Sequence, residues 1–411
     1  MLRAVDAPSA WRRCGPWLAA LLILILGADA VYRAGPKERT DLPVYLAGSE
    51  RVLAGQDPLL VESSRGWPYV YPPTLAVFLT PLTKLPLRVA AGLWFLVSTF
   101  VALGGWWLWR RSGASPLQGP LGWRDALVWA LVALPAISAL LRGQVGPPLL
   151  GLLLAAAACL AREREGPAFA PLGGALIALA TAIKLTPGFV LVGLLAARRW
   201  RALAGAAAGL ILWLVLVPLP LLGPRGTGAA LEHFTQHMVL RPLRDPGERD
   251  LTSRNVHIGN NQSLVSLTVR HDPGPAGKAA LGLIALGLLG AALGLSARGE
   301  RAQASQAPAH HHPGAAGYAL LIAAPLLLAP IAWHHHHVLL LPALAWLAAR
   351  PPGPLGAAAR AGLGLFALFS LLHFAVKPLR LGGLLGSGTL LVFALVVALR
   401  LAPGGGDDRG S

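Results

Sequence analysis

Apolar runs of about twenty residues recur along this chain, and short segments rich in arginine separate them. Of the 411 residues, 55% are hydrophobic and only 13% are charged, which is about half the charged share of a soluble domain. A run of this length crosses the apolar core of a bilayer as a helix, because a helix satisfies its own backbone hydrogen bonds in lipid. The pattern therefore predicts an all-α, polytopic membrane protein.

We divide the chain into about twelve candidate transmembrane helices, of which the fifth and sixth are short. Lys184 and Pro187 interrupt a single apolar stretch there. Counting two crossings places the arginine clusters at 162–164 and 198–201 on the same side of the membrane, so we favour a broken pair. The candidate spans are 16–33, 88–109, 125–141, 145–161, 169–184, 187–198, 202–223, 275–297, 315–332, 337–349, 357–376 and 383–401.

The distribution of arginine predicts how these helices are oriented. Short loops with arginine clusters alternate with short loops that hold few cations, and clustered cations mark the cytoplasmic side. Both termini are then cytoplasmic, whereas residues 34–87 and 224–274 form a first and a second external segment. Residues 298–314 are expected to be a flexible cytoplasmic loop, and residues 1–411 to be a single integral membrane domain.

The net charge of +17 is also typical of proteins that bind nucleic acid. Here the cations punctuate apolar runs and form no soluble basic domain, so we expect membrane lipids around the protein and no nucleic-acid partner. The two cysteines, Cys14 and Cys159, make neither a disulfide framework nor a metal-binding motif.

Four consecutive histidines, His334–His337, follow Trp333 inside the apolar stretch from Leu320 to Ala349. Imidazoles at membrane depth are costly unless they face protein or a water-filled cavity, so such a cluster indicates a functional site. An affinity tag does not fit, because tags lie at termini. A metal-binding tract and structural histidines at the headgroup boundary remain as alternatives.

The predicted orientation brings unusual polar residues to one face, the outer boundary of the membrane. The cytoplasmic loops carry charge but no comparable set of Asn, Gln and His residues. Convergence on one face is what an external active site would produce. The members of this set are Asp41, Asp57, Gln144, Lys184, Asn260, Asn261, Gln262 and His334–His337.

Several of these residues have two interpretations that the sequence leaves open. Asp41 precedes a helix-like segment and is either its N-cap or a carboxylate that accepts a proton from a sugar hydroxyl. Lys184 either extends to the membrane interface or holds a phosphate. The arginines of the second external segment are either solvated or bind an anionic lipid phosphate. Asp57 before Pro58 indicates a turn.

Seven short motifs occur in order between residues 40 and 345. They are Asp41 to Tyr45, Gly55-Gln56-Asp57-Pro58, Tyr71-Pro72-Pro73, Gly143-Gln144, Lys184-Leu185-Thr186-Pro187, Asn261-Gln262-Ser263-Leu264 and Pro330 to His336. Each motif is weak alone, whereas the ordered set is fairly specific. Together they resemble glycosyltransferase family 87, whose polytopic enzymes of the GT-C type include bacterial polyprenol-phosphate-mannose-dependent mannosyltransferases.

The resemblance implies a GT-C-like fold with a helical first external loop, and an inverting hexosyltransferase in the cytoplasmic membrane of a bacterium. The active site would be external, the donor a sugar on a polyprenyl phosphate, with mannose expected, and the acceptor a lipid or glycan. The family's catalytic aspartate maps onto Asp41, and its Trp-x-His-His motif onto Trp333, His335 and His336. His334 and His337 then lie beside the motif positions and are not part of the motif.

We therefore predict a site with three catalytic residues, Asp41, His335 and His336. A second group is expected to bind the donor or the acceptor. This group comprises Tyr45, Tyr71, Gln144, Lys184, Asn261, Gln262 and Trp333. We predict no metal ligand and no cofactor.

The chain departs from the family pattern at four positions. Gly146 stands where the family often has asparagine, Ala329 and Ala332 stand where it usually has serine, and Leu59 stands where an aromatic residue is usual. These departures bear on the sugar and the acceptor more than on the type of reaction.

A metal-independent reaction agrees with the residues. A monophosphate leaving group needs only one or two cations or imidazolium donors to stabilise its charge. The chain has no clustered Asp/Glu set of the kind that holds a divalent cation for nucleotide-sugar enzymes. It also has no Gly-rich phosphate loop, which favours a lipid-linked donor.

A transporter or flippase of a lipid-linked or small anionic substrate is the main alternative. Broken helices and an intramembrane lysine are features of transporters. The chain shows no repeated halves, however, and its polar residues gather at one face. A metal-binding sensor is a third alternative, but neighbouring histidines on a helix point in different directions, so few of them would face one ion.

Overall fold

The chain is all-helical in the parts that the structure describes. The computed structural model describes residues 9–35, 40–61, 67–117, 119–240, 259–305 and 315–402, with the backbone alone for 9–16 and 299–305. These ranges hold no β-strand; Asn261 and Trp333 form an isolated antiparallel bridge. Four arginines of the second external segment and a run of three histidines further along the chain lie outside the described residues. They are Arg241, Arg244, Arg249, Arg254 and His310–His312.

Eighteen α-helices are described in these ranges. They are α1 Ser9–Arg33, α2 Leu42–Leu53, α3 Pro73–Leu79, α4 Leu87–Arg111, α5 Trp123–Leu131, α6 Ala133–Leu141, α7 Gly146–Ala161, α8 Phe169–Ile183, α9 Gly188–Ala196, α10 Trp200–Ile211, α11 Leu219–Phe234, α12 Leu264–His271, α13 Gly274–Ser305, α14 Ala315–Leu328, α15 Leu341–Ala348, α16 Pro354–Ala375, α17 Lys377–Leu381 and α18 Leu384–Leu401. Short 3-10 helices span Pro58–Leu60, Thr80–Lys84, Glu163–Glu165 and His334–Leu340, and π-helices span Leu212–Leu216 and Thr235–Leu240.

Four helices in the described ranges are long and apolar enough to cross a membrane, namely α4, α16, α18 and the Gly274–Arg298 part of α13. Two bent pairs, α5 with α6 at 60° and α10 with α11 at 97°, raise the number to six. The helical, membrane-spanning class is therefore confirmed, but the predicted count of about twelve spans is not. Several predicted spans correspond to shorter helices, because glycine and proline residues divide the apolar runs.

Close helix packing depends on glycine at particular positions. A Cβ added to Gly105 of α4 would lie 2.1 Å from the carbonyl oxygen of Gly151 in α7. In the same way, a Cβ added to Gly174 of α8 would lie 1.8 Å from the carbonyl oxygen of Ala202 in α10. Small residues allow helix backbones to approach this closely. These contacts pack α4 against α7 and α8 against α10.

The bundle has two chemically different ends. At the C-terminal end of α4, Arg110 Nε donates to a carboxylate oxygen of Asp125 at 2.6 Å. At the other end of the bundle, the backbone N–H of Asp41 donates to the carbonyl oxygen of Arg142 at 2.8 Å. Arg142 follows α6 directly. Trp94 of α4 donates from Nε1 to the carbonyl oxygen of Gly143 at 2.7 Å. It precedes Arg110 by four to five helical turns, so the two ends lie about 24 Å apart along α4.

Other arginines gather at the Arg110 end. One cavity there is lined by Trp109 from α4, Leu160 from α7 and Arg199 from the turn before α10. Arg199 also donates to the carboxylate of Glu163. We call this the arginine end and the Asp41 end the site end, because the predicted site residues described below lie there.

The segment between α1 and α4 is largely helical, with α2, α3 and two 3-10 helices. Pro43 occupies the first turn of α2, where a missing N–H costs nothing. A carboxylate oxygen of Asp57 accepts a hydrogen bond from the N–H of Leu59 at 2.9 Å and so starts the 3-10 helix Pro58–Leu60. The turn predicted at Asp57 is confirmed.

Candidate functional site

Asp41 lies directly before α2, in the N-cap position, yet its carboxylate makes no capping hydrogen bond. Instead, Gln144 Nε2 donates to the carboxylate oxygen Oδ2. Gly143 makes this approach possible, because its φ of 69° turns the chain sharply between α6 and α7. The carboxylate is therefore directed to Gln144 and not to the helix that it precedes.

Two tyrosines pack beside this carboxylate. Tyr45 follows Asp41 by one helical turn, and its hydroxyl lies 3.1 Å from the hydroxyl of Tyr71. Tyr69 orders the Tyr71 segment, since its own hydroxyl donates to the carbonyl oxygen of Pro72 at 2.9 Å. Burial raises the pKa of the Tyr71 hydroxyl, and the nearby Asp41 carboxylate raises it further. Tyr71 therefore stays a neutral hydrogen-bonding group at physiological pH.

Lys184 lies in the break between α8 and α9, outside both helices. Its Nζ is 2.8 Å from His336 Nε2 and 5.7 Å from the centroid of the Tyr71 ring. The Asp41 carboxylate also acts electrostatically on Lys184. Lys184 is therefore part of the cluster around Tyr71 and does not extend away from it.

The four histidines form the start of the 3-10 helix His334–Leu340, and all four are buried. A 3-10 helix has three residues per turn, so His334 and His337 share a face while the two between them do not. His334 Nε2 pairs with the hydroxyl of Ser138 at 3.0 Å. His337 Nδ1 lies 3.2 Å from the carbonyl oxygen of Trp333. These outer histidines therefore bind to the surrounding fold.

The two inner histidines have different surroundings. His336 contacts Lys184, whereas His335 is 3% exposed and neither of its ring nitrogens has a hydrogen-bond partner among the described residues. The His335 ring lies parallel to the Trp333 ring, with 7° between the planes and 6.2 Å between the centroids. A buried imidazole without partners is costly, so His335 is suited to bind a group from outside the chain.

Asn261 and Gln262 are fully buried, and their side-chain amides bind the backbone of neighbouring loops. Asn261 Nδ2 donates to the carbonyl oxygen of Pro330 at 2.9 Å, and its Oδ1 accepts from the N–H of Ala332 at 2.9 Å. Gln262 Nε2 donates to the carbonyl oxygen of Arg380 at 2.9 Å. Asn261 thus positions the loop before Trp333, and Gln262 holds its own segment against α17. These contacts suit a supporting role better than substrate binding.

The structure brings together Asp41, Tyr45, Tyr71 and Gln144 on one side, and Lys184, Trp333, His335 and His336 on the other, with Lys184 beside Tyr71. It places Asp57 elsewhere, paired with His233 Nδ1 at 2.6 Å. Among the described residues, no three His, Cys, Asp or Glu side chains are arranged to hold a metal ion.

Three side chains contact this cluster that the sequence analysis did not single out. Trp67 packs edge-on against Trp333, with 6.1 Å between ring centroids. Ser138 binds His334, and His373 of α16 lies 5.6 Å from the His334 ring. Of these, only His373 carried a signal in the sequence, as an imidazole near the end of an apolar span.

This chain is similar to known glycosyltransferases. The model of glycosyltransferase family 87 matches residues 69–309. A polyprenol-phosphate-mannose-dependent α-(1-2)-phosphatidylinositol pentamannoside mannosyltransferase of Mycolicibacterium smegmatis is 30% identical over 89% of this chain and 82% of that protein. A protein of the same name from Mycobacterium tuberculosis is 28% identical over 80% of this chain and 72% of that protein. No solved structure was found to match.

The family model covers more than half of the chain, and the relatives cover most of it. The predicted resemblance is therefore confirmed, and a transporter is not favoured. The helices long enough to cross a membrane are in keeping with this family. The chain belongs to glycosyltransferase family 87 and is a membrane glycosyltransferase.

Proposed function

We propose that this protein transfers mannose from a polyprenyl-phosphate donor to a phosphatidylinositol-based glycolipid, with inversion at the sugar carbon and without a metal ion. The names of the two mycobacterial relatives suggest this donor and acceptor. The observation that carries the proposal is the meeting of a carboxylate, Asp41, and a lysine–histidine pair, Lys184 and His336, around Tyr71.

These groups divide the chemistry between them. Asp41 is the base that removes the proton from the acceptor hydroxyl. Lys184 and His336 bind the donor phosphate through hydrogen bonds, and charge on this pair stabilises the phosphate once it has left. A single inverting displacement needs only one base and one set of phosphate-binding groups. Tyr45, Tyr71 and Gln144 orient Asp41. They line the space between this base and the phosphate-binding pair.

The reaction is tested with the purified protein in nanodiscs of bacterial lipid, supplied with radiolabelled polyprenyl-phosphate mannose and phosphatidylinositol mannosides. We expect label to pass to the glycolipid, with the opposite anomeric configuration and unchanged by a chelator. GDP-mannose should not replace the lipid donor. Movement of the unchanged donor across the membrane of sealed vesicles, with no transfer of mannose, would instead support a flippase.

We further propose that the site end faces the outside of the bacterial cytoplasmic membrane and the arginine end faces the cytoplasm. The second external segment then lies outside and both termini lie in the cytoplasm. The fold is GT-C-like, with about twelve crossings. The gathering of arginines at one end of the bundle supports this orientation. The short apolar helices α7, α8 and α14 then complete crossings together with neighbouring segments.

Cysteine labelling checks this orientation, after Cys14 and Cys159 have been replaced by alanine. In intact cells, an impermeant maleimide should label Gln56→Cys, and should label Arg201→Cys only after the membrane has been opened. Both positions are exposed. Lys377→Cys serves as a second probe for the site end. Labelling of Gln56→Cys and Arg201→Cys from the same side would contradict the orientation.

A further inference from the structure

Both ring nitrogens of His336 are engaged, and one of the contacts defines where its proton lies. The backbone N–H of Trp333 donates to His336 Nδ1 at 3.2 Å. A backbone N–H is always a donor, so Nδ1 must be the unprotonated nitrogen. A neutral imidazole then carries its proton on Nε2.

The same geometry defines the state of Lys184. His336 Nε2 lies 2.8 Å from Lys184 Nζ, and two donors cannot face each other at this distance. If Nε2 carries the proton, Nζ must accept it, and only an uncharged amine has a lone pair to do so. The pair therefore holds one proton fewer than a charged lysine beside a neutral histidine.

The surroundings of the pair contain one group that can deliver a proton. Asp41 acts electrostatically on both Lys184 and Tyr71, so its carboxylate belongs to the same cluster as the amine. The other titratable groups that act on the pair or contact it include Tyr71, His334, His335 and His337.

We propose that Lys184 is an uncharged amine before the reaction and receives the proton that Asp41 takes from the acceptor hydroxyl. This inference rests on the proposed function for its substrates. It makes Lys184 a proton acceptor, and a cation only once mannose has been transferred.

The step balances in atoms and charge. The acceptor O–H bond breaks and its proton passes to the Asp41 carboxylate, while the acceptor oxygen forms a bond to the sugar carbon. The bond from that carbon to the phosphate oxygen breaks, and its electron pair stays on the phosphate. The donor phosphodiester carries one negative charge and the released phosphomonoester two. The proton then moves from Asp41 to Lys184, whose lone pair gives up the hydrogen bond from His336 Nε2–H to accept it. The new positive charge on Lys184 balances the second negative charge.

The state of Lys184 can be measured without substrate, in nanodisc-embedded protein whose lysine Nζ atoms are labelled with ¹⁵N. The chain has five lysines, at positions 37, 84, 184, 278 and 377, so the spectrum is simple. At about pH 9 an ordinary lysine is still an ammonium. We expect one of the five resonances at the neutral-amine position. It should be lost in Lys184→Met and kept in Lys84→Met, the matched control at an exposed lysine.

Two histidine variants test whether the hydrogen bond from His336 Nε2–H to Lys184 Nζ helps to keep Lys184 uncharged. His336→Phe removes the donor that stabilises the neutral amine, so the Lys184 titration should move upward by about one pH unit. His337→Phe replaces an equally buried neighbour that does not contact Lys184, and should leave the titration in place. A cooperative thermal unfolding transition shows that each variant is folded. If the midpoint of the Lys184 titration is unchanged in folded His336→Phe protein, the inference that His336 and Lys184 share this proton is wrong.

Transfer kinetics give an independent result. Lys184→Arg keeps a permanent cation that cannot accept a proton, so kcat should fall by roughly 100-fold or more with little change in the KM for the donor. Five ammonium resonances at about pH 9, or an active Lys184→Arg enzyme, would overturn the proposal. If the proposed function alone fails, the lysine spectrum still shows the neutral amine, so the two failures are distinguishable.

Discussion

Replacing Asp41 with asparagine is expected to lower kcat for mannosyl transfer by roughly 100- to 10,000-fold. Asparagine keeps the size of the side chain and an oxygen that accepts from Gln144 Nε2, but it cannot take up a proton. The backbone hydrogen bond from residue 41 to the carbonyl oxygen of Arg142 is also retained. The variant should therefore insert into the membrane normally, and the rate of transfer under saturating donor and acceptor is the quantity to measure.

Asp57→Asn is the matched control for this variant. Asp57 is a second carboxylate of the first external segment, but it binds the N–H of Leu59 and pairs with His233, away from the Asp41 cluster. Its loss should leave most of the activity. Near-normal transfer by purified Asp41→Asn protein would mean that Asp41 acts only as the first residue before α2, as the N-cap interpretation holds.

Alanine substitutions along the histidine run should divide it into two classes. His336→Ala removes the contact to Lys184, and His335→Ala removes the buried imidazole without partners, so each should reduce transfer by roughly 100-fold or more. His334→Ala and His337→Ala remove contacts to Ser138 and to the carbonyl oxygen of Trp333. Their effect should fall on the amount of folded protein more than on kcat.

The measurement compares the four single variants at equal amounts of folded protein, with and without a chelator. Burial makes truncation costly at every position of the run, at about 2–5 kcal/mol for a large buried side chain, so thermal stability must be recorded beside the rate. Equal losses of kcat at all four positions, together with inhibition by the chelator, would point to a metal site. Loss of kcat confined to His335 and His336 would support direct contact with the substrates.

Much of the fold class was predictable from the sequence, and the span count was not confirmed. Long apolar runs predict helices because lipid leaves the backbone no other partner, and α4, α16 and α18 lie close to predicted spans. The shorter helices α7, α8 and α14 are different. Their lengths depend on where glycine and proline interrupt a run, and a single sequence does not show which interruption ends a helix and which one bends it.

The candidate site shows the same division. Asp41, Gln144, Lys184 and His336 were singled out by their polarity in apolar surroundings, and the structure places them around Tyr71. The roles of Asn261 and Gln262 were not predictable, because their amides bind backbone atoms of loops about 70 and 120 residues further along the chain. Their assignment as binding residues stays a prediction, as do the roles of the other site residues.

The sequence by itself determined that this protein is a helical membrane glycosyltransferase of family 87 and which polar residues are candidates for its chemistry. Composition and ordered motifs are enough for that, because apolar length and residue type are properties of the chain alone. Only the tertiary structure decided which histidine meets Lys184. That choice depends on the 3-10 geometry of His334–Leu340 and on the helix break at Lys184, which bring together side chains 152 residues apart.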